Sequence, residues 1–498
     1  MSLRGYVIDF GTLKGQESFV KEHPFVSRTH TLGPAVSLEE EEGNYLRMTD
    51  WKTETLTDSW APVFEARKFL ESSWPAVHPA LCTLAHDTES RPDLILSDYL
   101  VDAVRDINLH YNIPIVMHWP QMPTNMLPAS YIPGIPGLQR DILTSEHATI
   151  WQRLKAELVA LSIVPSFLKY TQWVREMRAS ARVNGLLPST SKPNHLVLVN
   201  SFFGVEVPKD LPPSVAAVGP ILTETYPPFT ESLEAFLGAH TRVLYVALGT
   251  HVLLHDKALR QILEGVTNAI NLGLIDGAIW PIRGMARKQL HQQARAPGSL
   301  ADKFSIADLL DGAHPDLMFL DYAPQRAVLA HHNTRMFVSH VGASSTNEAV
   351  FHGKPIISIA IFFDQLQNAM KLRDAGVSIP LNKSTFRAID LTSAIAEIVH
   401  DRDGKFSQNV RRLQKIAQIT CRRKNLAADL IEEVLVDFEG RCGGPERERP
   451  MHLQTADARM PIWKAKNYDL HALLAGFSLL ALGGLVALPV ALRKVLGV

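Results

Sequence analysis

Residues 319–369 constrain the fold more than any other stretch: FLDYAPQRAVLAHHNTRMFVSHVGASSTNEAVFHGKPIISIAIFFDQLQNA. Two apolar runs, residues 335–339 and 355–361, have the character of strands buried in a parallel sheet. Between them His340-Val341-Gly342-Ala343-Ser344-Ser345-Thr346-Asn347-Glu348 reads as a turn feeding a short helix. Gly342 permits positive φ or a close backbone approach. Ser345 and Glu348 stand at capping-box spacing, and Gly353 suits the helix end. A helix N-terminus that projects from the carboxyl end of a strand offers N–H groups and a positive dipole end to an anion such as a diphosphate.

The remaining chain supplies what such a unit needs around it. Its 498 residues exceed one domain at roughly 100–200 residues each. Strand-like runs at residues 6–10, 94–97, 113–118 and 196–199 precede a second series at 243–248, 278–280 and 317–319. Helical stretches lie between them, as near 16–22 and at 145–184, so the rhythm is β-α-β and predicts parallel pairing in two arrays. Residues 39–42, all glutamate, read as a solvated loop. Residues 120–136 are proline-rich, an irregular connection of the kind that lines clefts. Residues 406–438 read as amphipathic helices. A net charge of −1 gives no global field for nucleic acid. Cys82, Cys421 and Cys442 form no metal or disulfide pattern. His331-His332 has no carboxylate or cysteine at ligand spacing and reads as ordinary loop or helix. No G-x-G-x-x-G follows a strand, which counts against a dinucleotide oxidoreductase.

The two termini differ. Residues 1–20 show no signal peptide, since the apolar run 6–10 is interrupted by Asp9. Residues 472–492 carry no charge and would span about 31 Å as a helix, close to a bilayer core. Arg493-Lys494 follow as a positive flank, and Trp463 and Tyr468 suit the other interface. The expectation is a single-pass C-terminal membrane anchor over residues 468–492, with a stalk at 441–467 and a basic tail at 493–498. A buried C-terminal helix is the alternative.

The central stretch resembles the sugar-nucleotide signature of the UDP-glycosyltransferases, H-x-G-x-x-S-x-x-E followed by D-Q-x-x-N. Here these are His340, Gly342, Ser345, Glu348, Asp364, Gln365 and Asn368, opened by Tyr322-Ala323-Pro324-Gln325 for the family's aromatic-x-P-Q. Residues 196–222 and 243–250 also look like the family's strand endings around its linker. The resemblance implies an α/β fold of two Rossmann-like domains facing a cleft, the GT-B type, here with a C-terminal transmembrane helix. It places an acceptor-binding domain at 1–222, a linker at 223–240 and a UDP-sugar-binding domain at 241–440. The anchor resembles that of membrane-bound members and implies the endoplasmic reticulum.

By the same resemblance His340, Ser345 and Thr250 meet the diphosphate, Glu348 accepts from the ribose hydroxyls, and Gln325 reads the uracil edge. Tyr322 stacks on the base, where the family has tryptophan. Asp364 and Gln365 hold sugar hydroxyls. Each residue also has a plain structural reading: Ser345 a cap, Glu348 its capping-box partner, Thr250 a turn residue. Arg283 reads as a donor contact or as an exposed arginine. Asp98 matches the aspartate that orients the family's base histidine, with Asp102 as a substitute and a helix N-cap as its plain reading. The loop carrying that histidine is not matched; His23 and His30 lie in HPFVSRTH, and the chain starts at what would be the second strand. No cofactor or metal is expected, only a UDP-sugar co-substrate. The expected reaction is metal-independent, inverting transfer of a hexosyl group to a small lipophilic acceptor. A UDP-sugar-binding partner protein without catalysis is the other reading.

Overall fold

A computed structural model describes residues 1–52, 59–124, 126–187, 192–249, 254–282, 284–291, 298, 303–362, 364–442 and 450–496. Among the described residues twelve strands make three parallel sheets: β1 (Ile8–Thr12), β2 (Val26–Thr31), β3 (Ile95–Asp98), β4 (Ile115–Trp119), β5 (Leu196–Val199), β6 (Val215–Ala217), β7 (Val243–Ala247), β8 (Gly277–Pro281), β9 (Leu317–Leu320), β10 (Thr334–Ser339), β11 (Ile356–Ser358) and β12 (Ser378–Pro380). β1 and β2 pair with each other, β3 to β6 pair in chain order, and the third sheet runs β12-β11-β10-β7-β8-β9. Its inner strands are mostly buried on both faces, as helix-covered parallel sheets require, and β7 is buried at every position; the edge strands β9 and β12 are only partly buried.

The strand order of the third sheet reverses between β7 and β10, which still run parallel. At such a point the loops after the two strands part in opposite directions and leave a crevice at the carboxyl ends. Gly249 follows β7, and His340-Val341-Gly342 follows β10. The order of the strands thus fixes where a ligand can sit before any side chain is considered.

The two halves are tied across the cleft. Lys371 and Glu206 form a buried ion pair at 2.7 Å, and Glu206 also accepts from the Met122 N–H at 3.1 Å. Asn347 donates to the Asn200 carbonyl at 2.7 Å. Lys383 donates to the carbonyls of Thr49 and Ile361. The helix Lys424–Cys442 crosses back and buries Ala427, Ile431 and Val434 against Val116, Leu196 and Leu198 of the second sheet.

Three expectations need correction. Residues 39–42 belong to the helix Leu38–Thr49, not to a loop: Ser37 and Glu40 form a capping box, and acidic side chains in a first turn complement the dipole. The expected 3.6-period helix near residues 16–22 is a short 3-10 turn, Glu17–Val20. The transmembrane helix over 468–492 is overturned, and the single-pass anchor and endoplasmic-reticulum location with it. Among the described residues no helix is long and apolar enough to cross a membrane. The helix Tyr468–Leu496 exists, but side chains beyond Leu482 lie outside the described residues.

Candidate functional site

The β10 loop is built around an imidazole. A Cβ on Gly249, whose φ is +81°, would lie 2.7 Å from the His340 Cε1 and Nε2. A Cβ on Gly342 would lie 2.7 Å from the same Nε2. Two backbones therefore close on the ring as only glycines allow. Gly249→Ala is expected to displace the His340 ring, because the added Cβ would meet it at 2.7 Å, and the His340 imidazole signals in an NMR spectrum should shift from their place in the unaltered protein.

Val341 follows with φ +54°, an uncommon conformation for a β-branched residue. Its surroundings hold it there. Its N–H donates to Ser339 Oγ at 3.0 Å, and its carbonyl accepts from Asn368 Nδ2 at 3.0 Å and Thr346 Oγ1 at 3.3 Å. Backbone held so far from its preference by several partners marks a loop whose shape matters.

The helix Ala343–Phe351 starts with Gly342 as N-cap and has no side-chain cap. The expected capping box is therefore not formed. Ser345 lies within the first turn, and both it and Glu348 face Gln325 instead. Gln325 Nε2 donates to Ser345 Oγ at 3.1 Å and to Glu348 Oε2 at 2.7 Å. Three residues from separate parts of the signature thus form one cluster beside the helix start. Burial pushes the Glu348 carboxyl above its ordinary range, against the pull of the Gln325 hydrogen bond. The Tyr322 ring, on the loop after β9, is 68% exposed and open to stacking.

Asp364 precedes the helix Gln365–Asp374. It accepts from Asn368 Nδ2 at 3.0 Å and from the Ala343 N–H, so it touches the first turn of the neighbouring helix. Burial dominates, and its pKa is pushed up to about 6. Gln365 Oε1 accepts from the N–H groups of Ile361 and Phe362 at 2.9 and 3.1 Å and fixes its own loop. Thr250 and Arg283 lie outside the described residues. His331 accepts locally from the Asn333 N–H at 3.2 Å.

Asp98 stands apart from this cluster. It closes β3, caps the Leu100 N–H at 2.9 Å and faces His118 in the β3–β4 register. Burial lowers the His118 pKa, with Asp98 opposing, so its imidazole is neutral at pH 7. Asp102 lies beside Arg67 at 3.6 Å and Arg105 at 3.7 Å.

A cavity of about 660 Å³ opens between the second sheet and the helices Ala61–Glu71 and Ile150–Ser180, and Asp364 lines it from the other half. Its walls include Trp60, Phe64, Tyr99, Trp119 and Phe167; Tyr99 and Trp119 stack at 4.2 Å. Gln121, Thr124, Met126 and Ile135 come from the proline-rich connection, as its composition suggested. The aromatic residues went unread because they are scattered in the chain. Their only sequence signal is that two of them, Tyr99 and Trp119, stand at strand ends.

Comparison with known proteins matches this arrangement. The family model described as UDP-glucoronosyl and UDP-glucosyl transferase matches residues 41–421. The UDP-glycosyltransferase stmC of Aspergillus ustus is 40% identical over 99% of this chain and 91% of its own length. The UDP-glycosyltransferase FPY2 of Fusarium mangiferae is 37% identical over 94% of this chain and 90% of its own. Among solved structures, a UDP-glucose: anthocyanidin 3-O-glucosyltransferase in complex with UDP aligns with a TM-score of 0.54 over 86% of this chain and 93% of its own, at 16% identity. The glycotransferase of kitacinnamycin aligns at 0.55 over 86% and 92%, at 18% identity. At these identities the structural likeness speaks for the two-domain GT-B type of fold alone.

Proposed function

The chain belongs to the UDP-glucoronosyl and UDP-glucosyl transferase family and is a glycosyltransferase that uses a UDP-sugar; from that premise we propose a metal-independent, inverting transfer of a hexosyl group to a hydroxyl of a small lipophilic acceptor. The diphosphate would lie at the first turn of the Ala343–Phe351 helix, where the dipole and N–H groups favour negative charge. His340 would add a hydrogen bond on the same side. Glu348 would take the two ribose hydroxyls, Gln325 the uracil edge, and Tyr322 the face of the base. Asp364 and Gln365 would hold the sugar at the point where the cleft meets the apolar cavity. Asp98, with His118 beside it, is the proposed orienting carboxylate of the amino-terminal half.

In a direct displacement the acceptor oxygen attacks the anomeric carbon as its proton leaves. The bond to the diphosphate breaks, and its electron pair departs with UDP. Stabilising charge on the leaving oxygen is then the main demand, and fixed dipoles meet it without reorganisation. The observation that carries this reading is the Gln325–Ser345–Glu348 cluster beside the glycine-framed His340.

The test is incubation with UDP-glucose and a hydrophobic phenol, with and without EDTA. The expected product is the hexosylated phenol, unaffected by EDTA, with inverted configuration in the anomeric proton coupling. Loss of activity with EDTA, or retention of configuration, contradicts the mechanism. UDP binding without transfer to any phenol or alcohol favours a binding role instead.

A further inference from the structure

The wall of the aromatic cavity carries a side-chain amide that no other described residue engages. Met117, Trp119 and Gln121 alternate along β4 and the residues after it, and all three line the cavity, since side chains two apart on an extended chain share a face. Gln121 thus opens on the same side as the Trp119 indole. Tyr99 continues the β3–β4 pairing: its N–H donates to the His118 carbonyl at 3.1 Å, and its ring stacks on Trp119 at 4.2 Å. The two rings give a flat wall beside Gln121, suited to the face of another ring. Asp364 lines the same cavity from the other half, and its charge reaches the Tyr99 phenol.

Gln121 Oε1 is shut off from solvent and has no hydrogen-bond partner. Buried polar atoms are as a rule satisfied, and an acceptor left without a donor costs free energy that a ligand recovers. The backbone beside it is fixed. The Met122 N–H donates to Glu206 at 3.1 Å, and Glu206 is ion-paired with Lys371 at 2.7 Å. The last torsion of a glutamine joins sp³ to sp² carbon and is broad, so the amide turns its oxygen toward the cavity without moving that backbone. An amide oxygen takes an O–H or N–H donor. The reacting hydroxyl does not supply it, because its one proton leaves as the glycosidic bond forms. The position calls for a second donor on the acceptor.

We propose that the acceptor is a ring bearing two hydroxyls, one turned to the sugar at Asp364 and the other donating to Gln121 Oε1, while the ring lies against Tyr99 and Trp119. Gln121 is then a specificity residue that touches no reacting atom. The inference rests on the proposed reading of this cavity as the acceptor's, and it narrows that acceptor from a lipophilic hydroxyl compound to a dihydroxyarene.

The test is calorimetry on the full chain, with and without UDP. The ligands are a 4-alkylphenol, the 4-alkylcatechol and 5-alkylresorcinol with the same alkyl chain, and the monomethyl ethers of both dihydroxy compounds. At least one dihydroxy isomer should bind about tenfold better than the phenol and than its own methyl ether, which keeps the oxygen but lacks the second O–H. Gln121→Met, apolar and close in volume, should bring both ratios near one. Its Tm should hold or rise, since an unsatisfied acceptor has been removed, whereas a merely structural role for Gln121 would lower it. Dihydroxy compounds that bind no better than their methyl ethers in the unaltered chain, or an advantage that Gln121→Met leaves intact, overturn the proposal. If Gln121→Met fails to fold, the ratios in the unaltered chain decide alone. Failure of UDP to bind counts against the transferase reading instead, and the ratios measured without UDP still decide this one.

Discussion

Replacing Asp364 by asparagine is expected to stabilise the protein and to lower transfer at the same time. Burial lifts the folded-state pKa from 3.8 to about 6. The folded state therefore holds the Asp364 proton more tightly than the unfolded chain does. As pH rises from about 4 to about 6, the ionised carboxylate becomes progressively costly to keep in place, and stability falls. Above that window the full cost is present, at most about 3 kcal/mol. Asparagine carries no charge and keeps an oxygen for the Ala343 N–H. A thermal scan at pH 7.5 should show a Tm a few degrees higher for Asp364→Asn, with no gain at pH 4. Transfer should fall about 10- to 100-fold, because a charged acceptor for sugar hydroxyls is lost. The rise of activity through about pH 6 in the unaltered protein should flatten. An unchanged Tm together with an unchanged pH profile would count against the role assigned to Asp364.

Glu348→Gln is expected to weaken UDP binding about 100-fold, from two charge-assisted hydrogen bonds lost at once. A carboxylate accepts from both hydroxyls of a ribose diol, whereas an amide offers one acceptor and one donor group. The new amide also meets Gln325 Nε2, which now donates to Glu348 at 2.7 Å, so the base-reading residue loses its orientation too. Comparing UDP with its 2′-deoxy analogue isolates the ribose contribution. The unaltered protein should prefer UDP about tenfold or more, and the variant should show little preference. Because burial raises the Glu348 pKa, UDP affinity should also fall as pH drops and the carboxyl takes up a proton. Equal discrimination in both proteins would place the ribose elsewhere.

The strand-loop-helix unit of the proposed donor cleft was legible because its parts are local. His340 to Glu348 lie on one strand-loop-helix unit, and the spacing of apolar runs located β10 and β7 within a residue of where they stand. β5 matched its expected limits. What local spacing missed was competition between caps. Ser345 and Glu348 have capping-box spacing, but Gly342 caps the helix three residues earlier, and Gln325 from another element claims both side chains. For the acidic run 39–42 the error ran the other way: charge suggested solvent, while Ser37 made a helix. β2, β6 and β12 are short or polar, and only pairing with neighbours makes them strands. The aromatic-walled cavity was illegible in principle, since residues 51 to 195 and Asp364 meet there only after the second sheet and its helices pack. The span expected over 468–492 is not met: among the described residues no helix is long and apolar enough to cross a membrane.

Titration of the full chain with UDP, beside the double variant His340→Ala/Glu348→Ala, tests most directly whether the amino end of the Ala343–Phe351 helix is a nucleotide diphosphate site. UDP should bind the unaltered protein with no added metal, and the double variant should lose at least 100-fold in affinity. No heat of binding in the unaltered protein, or equal affinity in the two, would contradict it.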